Sequence, residues 1–212
     1  MGKTKRVVNA KTLASDLLAC KKAFDVAGVP WVIIGGIVLG YARYNKIMDW
    51  DTDLDIGVFV ELSKNRQTKL YNELRNNKFI LKGNSDFIYG GRETPFNMMI
   101  YHKNGNFYES FPQTMKGFKY VEKAEWYDKP QIVEFLGDKY PMPQNIDDWA
   151  VCHYGKDWNT NIIKDHSQYF REKRGNPKNW KSWILNRKRK DGNLWWPALL
   201  KSNENIGDFN EI

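Results

Sequence analysis

The spacing of hydrophobic positions changes along the chain between helical and strand periods. Apolar residues recur every three or four positions from Leu13 to Phe24, which predicts a helix that Thr12 caps and Gly28 ends. Further helices are predicted at 37–44, 65–77 and 147–154, and strands at 31–34, 54–60, 79–81, 87–89, 96–101, 107–111 and 132–135. A hairpin turn is predicted at 103–106, between two of these strands. This order predicts an α+β (α/β) domain in which helices flank one mixed or mostly antiparallel sheet.

Length and composition agree with a single globular domain. The chain has 212 residues, of which 42% are hydrophobic and 15% aromatic, and this excludes wholesale disorder. The longest apolar run, 29–39, is too short to cross a bilayer, and no signal-peptide pattern follows the basic N-terminus. With only two cysteines, 132 positions apart, the sequence predicts no disulfide framework and a cytoplasmic location.

The positive charge is concentrated near the C-terminus. The formal net charge is +8, and residues 171–201 contain ten basic and two acidic side chains together with four tryptophans. We therefore divide the chain into a domain at 1–170 and a basic, Trp-rich helical extension at 171–212. The extension is predicted to carry a helix from about 177 to 190 that packs on the core. Interleaved basic and aromatic residues also allow weak binding of a polyanion.

The segment 31–59 combines two elements that together indicate phosphate chemistry. Gly35 and Gly36 separate a buried strand from a helix, where backbone N–H groups can approach a phosphate at the positive helix end. Asp51, Asp53 and Asp55 alternate at the entry to the next strand and can project to one side, as required to bind Mg²⁺ or Mn²⁺. The spacing does not fit an EF-hand, a P-loop or a dinucleotide-binding turn. The two elements indicate phosphoryl or nucleotidyl transfer.

These residues resemble a known family. The pattern Gly35-Gly36-x-x-Leu39-Gly40-x-x-Arg43, followed by Trp50-Asp51-x-Asp53-x-Asp55-Ile56-Gly57, is similar to the LicD and fukutin family of phospho-alcohol transferases, which have the nucleotidyltransferase fold. The similarity covers about residues 13–160 and includes Phe135-Leu136-Gly137-x-x-Tyr140-Pro141.

The resemblance implies a metal-dependent transferase. It would move a phosphocholine, ribitol-phosphate or related group from a nucleoside-diphosphate (CDP-type) donor to the hydroxyl of a glycan or another acceptor. Asp53 and Asp55 would bind Mg²⁺ or Mn²⁺, and Asp51 would help to hold the metal or orient the acceptor. Gly35 and Gly36 would cradle the donor phosphates, and Arg43 would neutralise charge on them.

One site residue departs from the family pattern. The resemblance places an aspartate on the downstream strand where this sequence has Asn97, whose side chain can coordinate a metal but cannot accept a proton. Either Glu93, Glu109 or Asp138 substitutes for it, or catalysis is weakened or lost. Two alternatives to phospho-alcohol transfer stay open: nucleotidyl transfer to a nucleic acid or small acceptor, and a non-catalytic protein on the same scaffold.

Overall fold

The computed structural model describes residues 9–83, 86–111, 118–160, 198–201 and 203. Within these ranges the helices are α1 (Ala10–Ala27), α2 (Gly36–Tyr44), α3 (Lys64–Asn76) and α4 (Ile146–Tyr154). The strands are β1 (Val32–Ile33), β2 (Leu54–Val58), β3 (Ile80–Gly83), β4 (Phe87–Gly91), β5 (Pro95–Ile100), β6 (His102–Asn104), β7 (Phe107–Ser110), β8 (Phe118–Lys123), β9 (Gln131–Phe135), β10 (Asp138–Met142) and β11 (Ala198–Lys201). A 3₁₀ turn, Ala124–Trp126, follows β8.

The central sheet is five-stranded and mixed, in the order β1-β2-β5-β4-β3. Strands β2 and β5 run parallel, and each of the other neighbouring pairs is antiparallel. Helices α1 and α3 pack on each other, while α2 contacts both β2 and α4. The predicted α+β class with a mixed sheet is confirmed. Because β2 and β5 are parallel, their N-terminal halves lie side by side.

Helix α1 starts three residues earlier than the sequence predicts. Asn9, not Thr12, is the N-cap: its side chain accepts hydrogen bonds from the Lys11 and Thr12 backbone N–H groups. The Thr12 hydroxyl in turn accepts a hydrogen bond from the Asn9 backbone N–H, which completes a capping box. Gly28 ends the helix with φ +68°, as predicted. The predicted stripe is buried, and Phe24 stacks on Trp31 at a centroid distance of 5.2 Å.

Two smaller sheets complete the described fold. One has the order β11-β8-β7-β6, and the other is the β9–β10 hairpin. The predicted turn at 103–106 is wrong in detail, because residues 103 and 104 belong to β6, so the hairpin joins β6 to β7 and not β5 to β7. Strand β8 was not predicted, because Lys119 and Glu122 are polar residues at buried positions of that strand and break the apolar alternation.

Most of the predicted C-terminal extension lies outside the described residues. The predicted helix at about 177–190, its basic run and the tryptophans at 180, 183, 195 and 196 all fall there. Of the extension, Ala198–Lys201 is described and forms an edge strand antiparallel to β8. Every described helix is too short or too polar to span a membrane. Within the described residues, Cys20 and Cys152 form no disulfide bond.

Candidate active site

The central sheet brings Asp53, Asp55 and Asn97 together. Asp53 directly precedes β2 and Asp55 is its second residue, so both side chains project from the same face. Asn97 lies on β5 directly opposite Asp55 in the parallel register. The Asn97 side-chain amide donates hydrogen bonds to Asp55 Oδ1 at 2.9 Å and to Asp53 Oδ2 at 3.3 Å. Two carboxylates and one amide therefore form the centre of the candidate site.

The Gly35–Gly36 turn lies directly against these carboxylates. Gly35 has φ +71° and precedes the first residue of α2, Gly36. A Cβ on Gly35 would lie 2.7 Å from Asp55 Oδ2, and a Cβ on Gly36 would lie 2.6 Å from Asp51 Oδ2. Real Cβ atoms do not approach other atoms this closely, so a side chain at either position would force the neighbouring aspartate to move. The turn therefore places the N-terminus of α2 next to Asp55, and Asp51 is part of the site because it lies next to Gly36.

Burial and charge repulsion perturb two of the aspartates. Burial, and secondarily the nearby Asp53, raises the pKa of Asp51 from its usual 3.8 to about 7. Burial and the Asp53 charge also raise the pKa of Asp55, although the hydrogen bond from Asn97 opposes the shift. Among the described residues, no group donates a hydrogen bond to the buried Asp51 Oδ2. Buried carboxylates whose pKa is raised in this way are typical of functional sites.

The donor atoms in the site fit a hard divalent cation. Carboxylate and amide oxygens are the ligands that Mg²⁺ prefers, and Mg²⁺ is commonly bound by one or two carboxylates together with substrate phosphates. Asp53 and Asp55 could supply that pair. Asn97 could add its carbonyl oxygen by rotating its amide, since the two orientations differ only in which atom faces the carboxylates. No group of three or more His, Cys, Asp or Glu side chains in the described part of the chain is arranged to chelate a metal.

The hydrogen bond of Arg43 is to the backbone near the end of the described domain, not to the carboxylates. Arg43 lies in the last turn of α2, and its Nε donates a hydrogen bond to the backbone carbonyl of Trp158. The contact ties the end of α2 to the turn that follows α4. A role for Arg43 toward donor phosphates stays a prediction.

Of the three acids considered as substitutes for Asn97, two are paired elsewhere and the third is exposed in a turn. Glu109 forms a buried ion pair with Lys119 at 2.8 Å in the second sheet. Asp138 lies in β10, with a carboxylate oxygen 3.7 Å from the Lys21 ammonium. Glu93 is exposed in the β4–β5 turn. The described contacts therefore leave Asn97 as the side chain that faces Asp53 and Asp55 from β5.

Asp16 was missed by the sequence reasoning, although it lies on the apolar stripe of α1. Its fully buried carboxylate accepts hydrogen bonds from Arg92 Nη1, from the backbone N–H groups of Glu93 and Thr94, and from the Thr94 hydroxyl, at 2.7–2.9 Å. These bonds anchor the turn from which β5 starts, two residues before Asn97. The available signal was a lone acid among positions that helical spacing predicts to be buried.

A sequence profile described as the LicD/FKTN/FKRP nucleotidyltransferase domain matches residues 28–146. This chain belongs to that family. The matched range contains the glycine turn, the three aspartates and Asn97, so the LicD/FKTN/FKRP domain is the part of the chain that carries the candidate site. Membership confirms the predicted family and the nucleotidyltransferase fold, and it makes the protein a transferase.

Similar solved structures were also found. One is the lincosamide antibiotic adenylyltransferase LnuA with lincomycin bound, at 13% identity and a TM-score of 0.44, covering 61% of this chain and 79% of that one. Another is ANT(2")-Ia in complex with adenylyl-2"-tobramycin, at 13% identity and a TM-score of 0.43, covering 63% and 70%. A search of curated proteins gave no significant match.

Proposed function

We propose that this LicD/FKTN/FKRP-family protein transfers a phospho-alcohol group, of the phosphocholine or ribitol-phosphate type, from a CDP-type donor to a hydroxyl of a glycan. The proposal adds donor, acceptor and metal to the transferase activity that the family implies. It is supported by one observation above all: the glycine turn at the start of α2 lies within contact distance of Asp55 on β2 and of Asp51, which precedes that strand. A phosphate-binding turn and a cation-binding pair are thereby adjacent.

The glycine turn is suited to the donor. The first N–H groups of α2 have no partners within the helix and point toward the turn, where the partial positive charge of the helix end favours a phosphate. Without Cβ atoms at residues 35 and 36, a diphosphate can approach the backbone closely. We assign the donor phosphates to this position.

In the proposed reaction, the acceptor oxygen forms a bond to the phosphorus that carries the alcohol. The anhydride bond breaks and CMP leaves with the bridging oxygen, while the proton of the acceptor hydroxyl passes to solvent water. Asp53 and Asp55 would hold Mg²⁺ or Mn²⁺, which, when bound, offsets the negative charge of the phosphates. Asn97 cannot accept a proton, so its part is to fix both carboxylates through its amide. Asp51 is assigned to orienting the acceptor hydroxyl.

The test combines calorimetry with product analysis. Purified protein is titrated with Mn²⁺, then with CDP-choline, CDP-ribitol, CDP-glycerol and the four nucleoside triphosphates, and products are identified by mass spectrometry with a glycan acceptor. We expect CDP-alcohol binding that depends on Mn²⁺, and release of CMP. Asp53→Asn should abolish both, whereas Asp49→Asn, at an exposed position before the site, should change neither.

The other results contradict the proposal in recognisable ways. Binding of a nucleoside triphosphate with release of pyrophosphate would establish nucleotidyl transfer instead. Absence of both metal and nucleotide binding, in protein that melts cooperatively, would establish a non-catalytic role for the scaffold.

A further inference from the structure

A polar groove borders the end of α2 opposite the glycine turn. One cavity of about 780 Å³ lies between the end of α2 and the start of α4, and its lining includes Tyr41, Asn45, Gln131, Gln144 and Asn145. A second cavity of about 600 Å³ is formed by the β9–β10 hairpin, and Asn45 lines this cavity too. We call the two together the polar groove.

Three of the four side-chain amides that line the polar groove are exposed and are not used by the fold. Among the described residues, no hydrogen bond engages the side chains of Asn45, Gln144 or Asn145. Asn145 occupies the N-cap of α4, where an asparagine normally caps the helix through its side chain, yet it makes no such bond. The Gln131 amide donates to the Pro143 carbonyl at 2.8 Å, which fixes its orientation. These amides are therefore available to a ligand as both donors and acceptors.

The charge of the groove is opposite to that of the whole chain. Its lining contains four carboxylates, Asp147, Asp148, Glu134 and Asp138, against the single ammonium of Lys139, whereas the chain has a net charge of +8. Asp148 is held in place by a hydrogen bond of 3.1 Å from the Trp126 indole. A phosphate would be repelled here, so the groove does not extend the donor site. Hydroxyl groups can donate to these carboxylates and accept from the amides.

An aromatic side chain adds an apolar wall. The Tyr41 ring packs edge-on against Phe135 at a centroid distance of 5.5 Å and lines the groove between the amides. Sites that combine an apolar wall with a few polar groups are typical of small-molecule recognition. Saccharides present both C–H faces and hydroxyl edges, and they match this combination.

We propose that the polar groove binds a neutral saccharide chain, the acceptor in the proposed transfer reaction. The inference rests on the proposed function and adds the place where the acceptor is recognised. Helix α2 joins the two regions: Gly36 contacts Asp51, and the groove follows the helix from Tyr41 to Asn45, whose far end lies roughly 14 Å from Gly36 along the helix axis. An acceptor that fills the groove and reaches the carboxylates must therefore be an oligosaccharide, and a monosaccharide should be a poor substrate.

The test is saccharide binding to the full chain without metal or nucleotide. Amide NMR spectra are recorded with linear neutral hexasaccharides of glucose, N-acetylglucosamine and galactose, and with the matching monosaccharides, at millimolar concentration. We expect at least one hexasaccharide to shift the side-chain amide signals of Gln131, Gln144 and Asn145. The double variant Gln144→Ala/Asn145→Ala should weaken binding about tenfold, as expected for loss of two hydrogen bonds. The exposed Asn65→Ala change on α3 is the matched control.

Failure here differs from failure of the proposed function. If no hexasaccharide shifts these signals while Mn²⁺ and CDP-alcohols still bind, the groove proposal is overturned and the transferase proposal stands. If a hexasaccharide binds in the groove but no donor or metal does, the reverse holds. Binding that the double variant leaves unchanged would also overturn the groove assignment.

Discussion

Asn97 and Asp55 face each other across the only parallel strand pair in the described sheets, joined by a hydrogen bond of 2.9 Å from amide to carboxylate. The neutral amide also bonds to Asp53, so it holds together two acids that would otherwise repel each other. The family resemblance places an aspartate here, which would add a third negative charge. At this position the chain therefore has a neutral hydrogen-bond donor to both carboxylates in place of a third negative charge.

Replacing Asn97 with aspartate, the residue of the family pattern, tests the role of this position. Asn97→Asp should tighten Mn²⁺ binding by about tenfold, equivalent to about 1.4 kcal/mol, because a further carboxylate joins Asp53 and Asp55. The metal-free melting temperature should fall by roughly 2–4 °C for each kcal/mol lost through added repulsion. Calorimetry and thermal melting measure the two effects. Unchanged Mn²⁺ affinity would show that residue 97 does not contribute to a metal site.

Removing the Asp55 carboxylate should have the opposite effects on Mn²⁺ binding and on metal-free stability. Asp55→Asn should eliminate the increase in melting temperature that Mn²⁺ causes and lower turnover at least about 100-fold. Without metal, stability should stay level or rise, because the pKa of Asp55 is raised by burial and by Asp53 and the charged form is disfavoured. Asp49→Asn provides the control. A large loss of metal-free stability in Asp55→Asn would indicate a structural carboxylate instead.

The contact between Gly36 and Asp51 predicts that the effect of Gly36→Ala on stability changes sign when the Asp51 carboxylate is removed. Gly36→Ala should destabilise the protein by about 1–3 kcal/mol, since the added Cβ meets Asp51 Oδ2 at 2.6 Å and the carboxylate must move. In an Asp51→Ala background the same change should be neutral or stabilising, because alanine favours helix over glycine by up to about 1 kcal/mol. Urea denaturation of the four proteins measures this coupling. Equal effects in both backgrounds would contradict the packing described here.

Asp51 should also make the metal-free protein less stable as pH rises. Its pKa is raised from 3.8 to about 7 on folding, so between these values the folded state binds more protons than the unfolded state. The free energy of unfolding should then decline with pH by at most about 1.4 kcal/mol per unit, and level off above pH 7. The difference between wild type and Asp51→Asn isolates this contribution. A difference that is constant from pH 4 to 7 would refute the raised pKa.

Local sequence signals predicted most of the fold. The stripe of α1, the apolar run of β1 and the punctuation at Gly28 and Gly35 are short-range features, and each lies where the pattern indicates. The errors occur where an element depends on contacts that the local spacing of apolar residues does not reveal. Thr12 is a residue type that often caps helices, but Asn9 is the N-cap of α1. Strand β8 was not predicted because Lys119, a polar residue, is buried there through its ion pair with Glu109.

The sequence proposes which residues form the candidate site, but it does not give their arrangement. The spacing of Asp53 and Asp55 indicates a shared face, and their proximity to Asn97 follows only from the β2–β5 pairing. No sequence pattern shows that Gly36 contacts Asp51, or that Arg43 bonds to Trp158, 115 positions away. The roles of these residues in binding metal and donor remain predictions for the experiments above.

Strand β11 protects the edge of the sheet formed by β8, β7 and β6 from pairing with other chains. By pairing with β8, Ala198–Lys201 replaces the six-residue edge of β8 with a shorter, four-residue edge of its own. Proteolytic loss of this segment should leave residues 28–146, and hence Asp53 and Asp55, in place while exposing the longer edge of β8, which can template association with other chains. Shortened protein is therefore expected to aggregate before it loses metal binding.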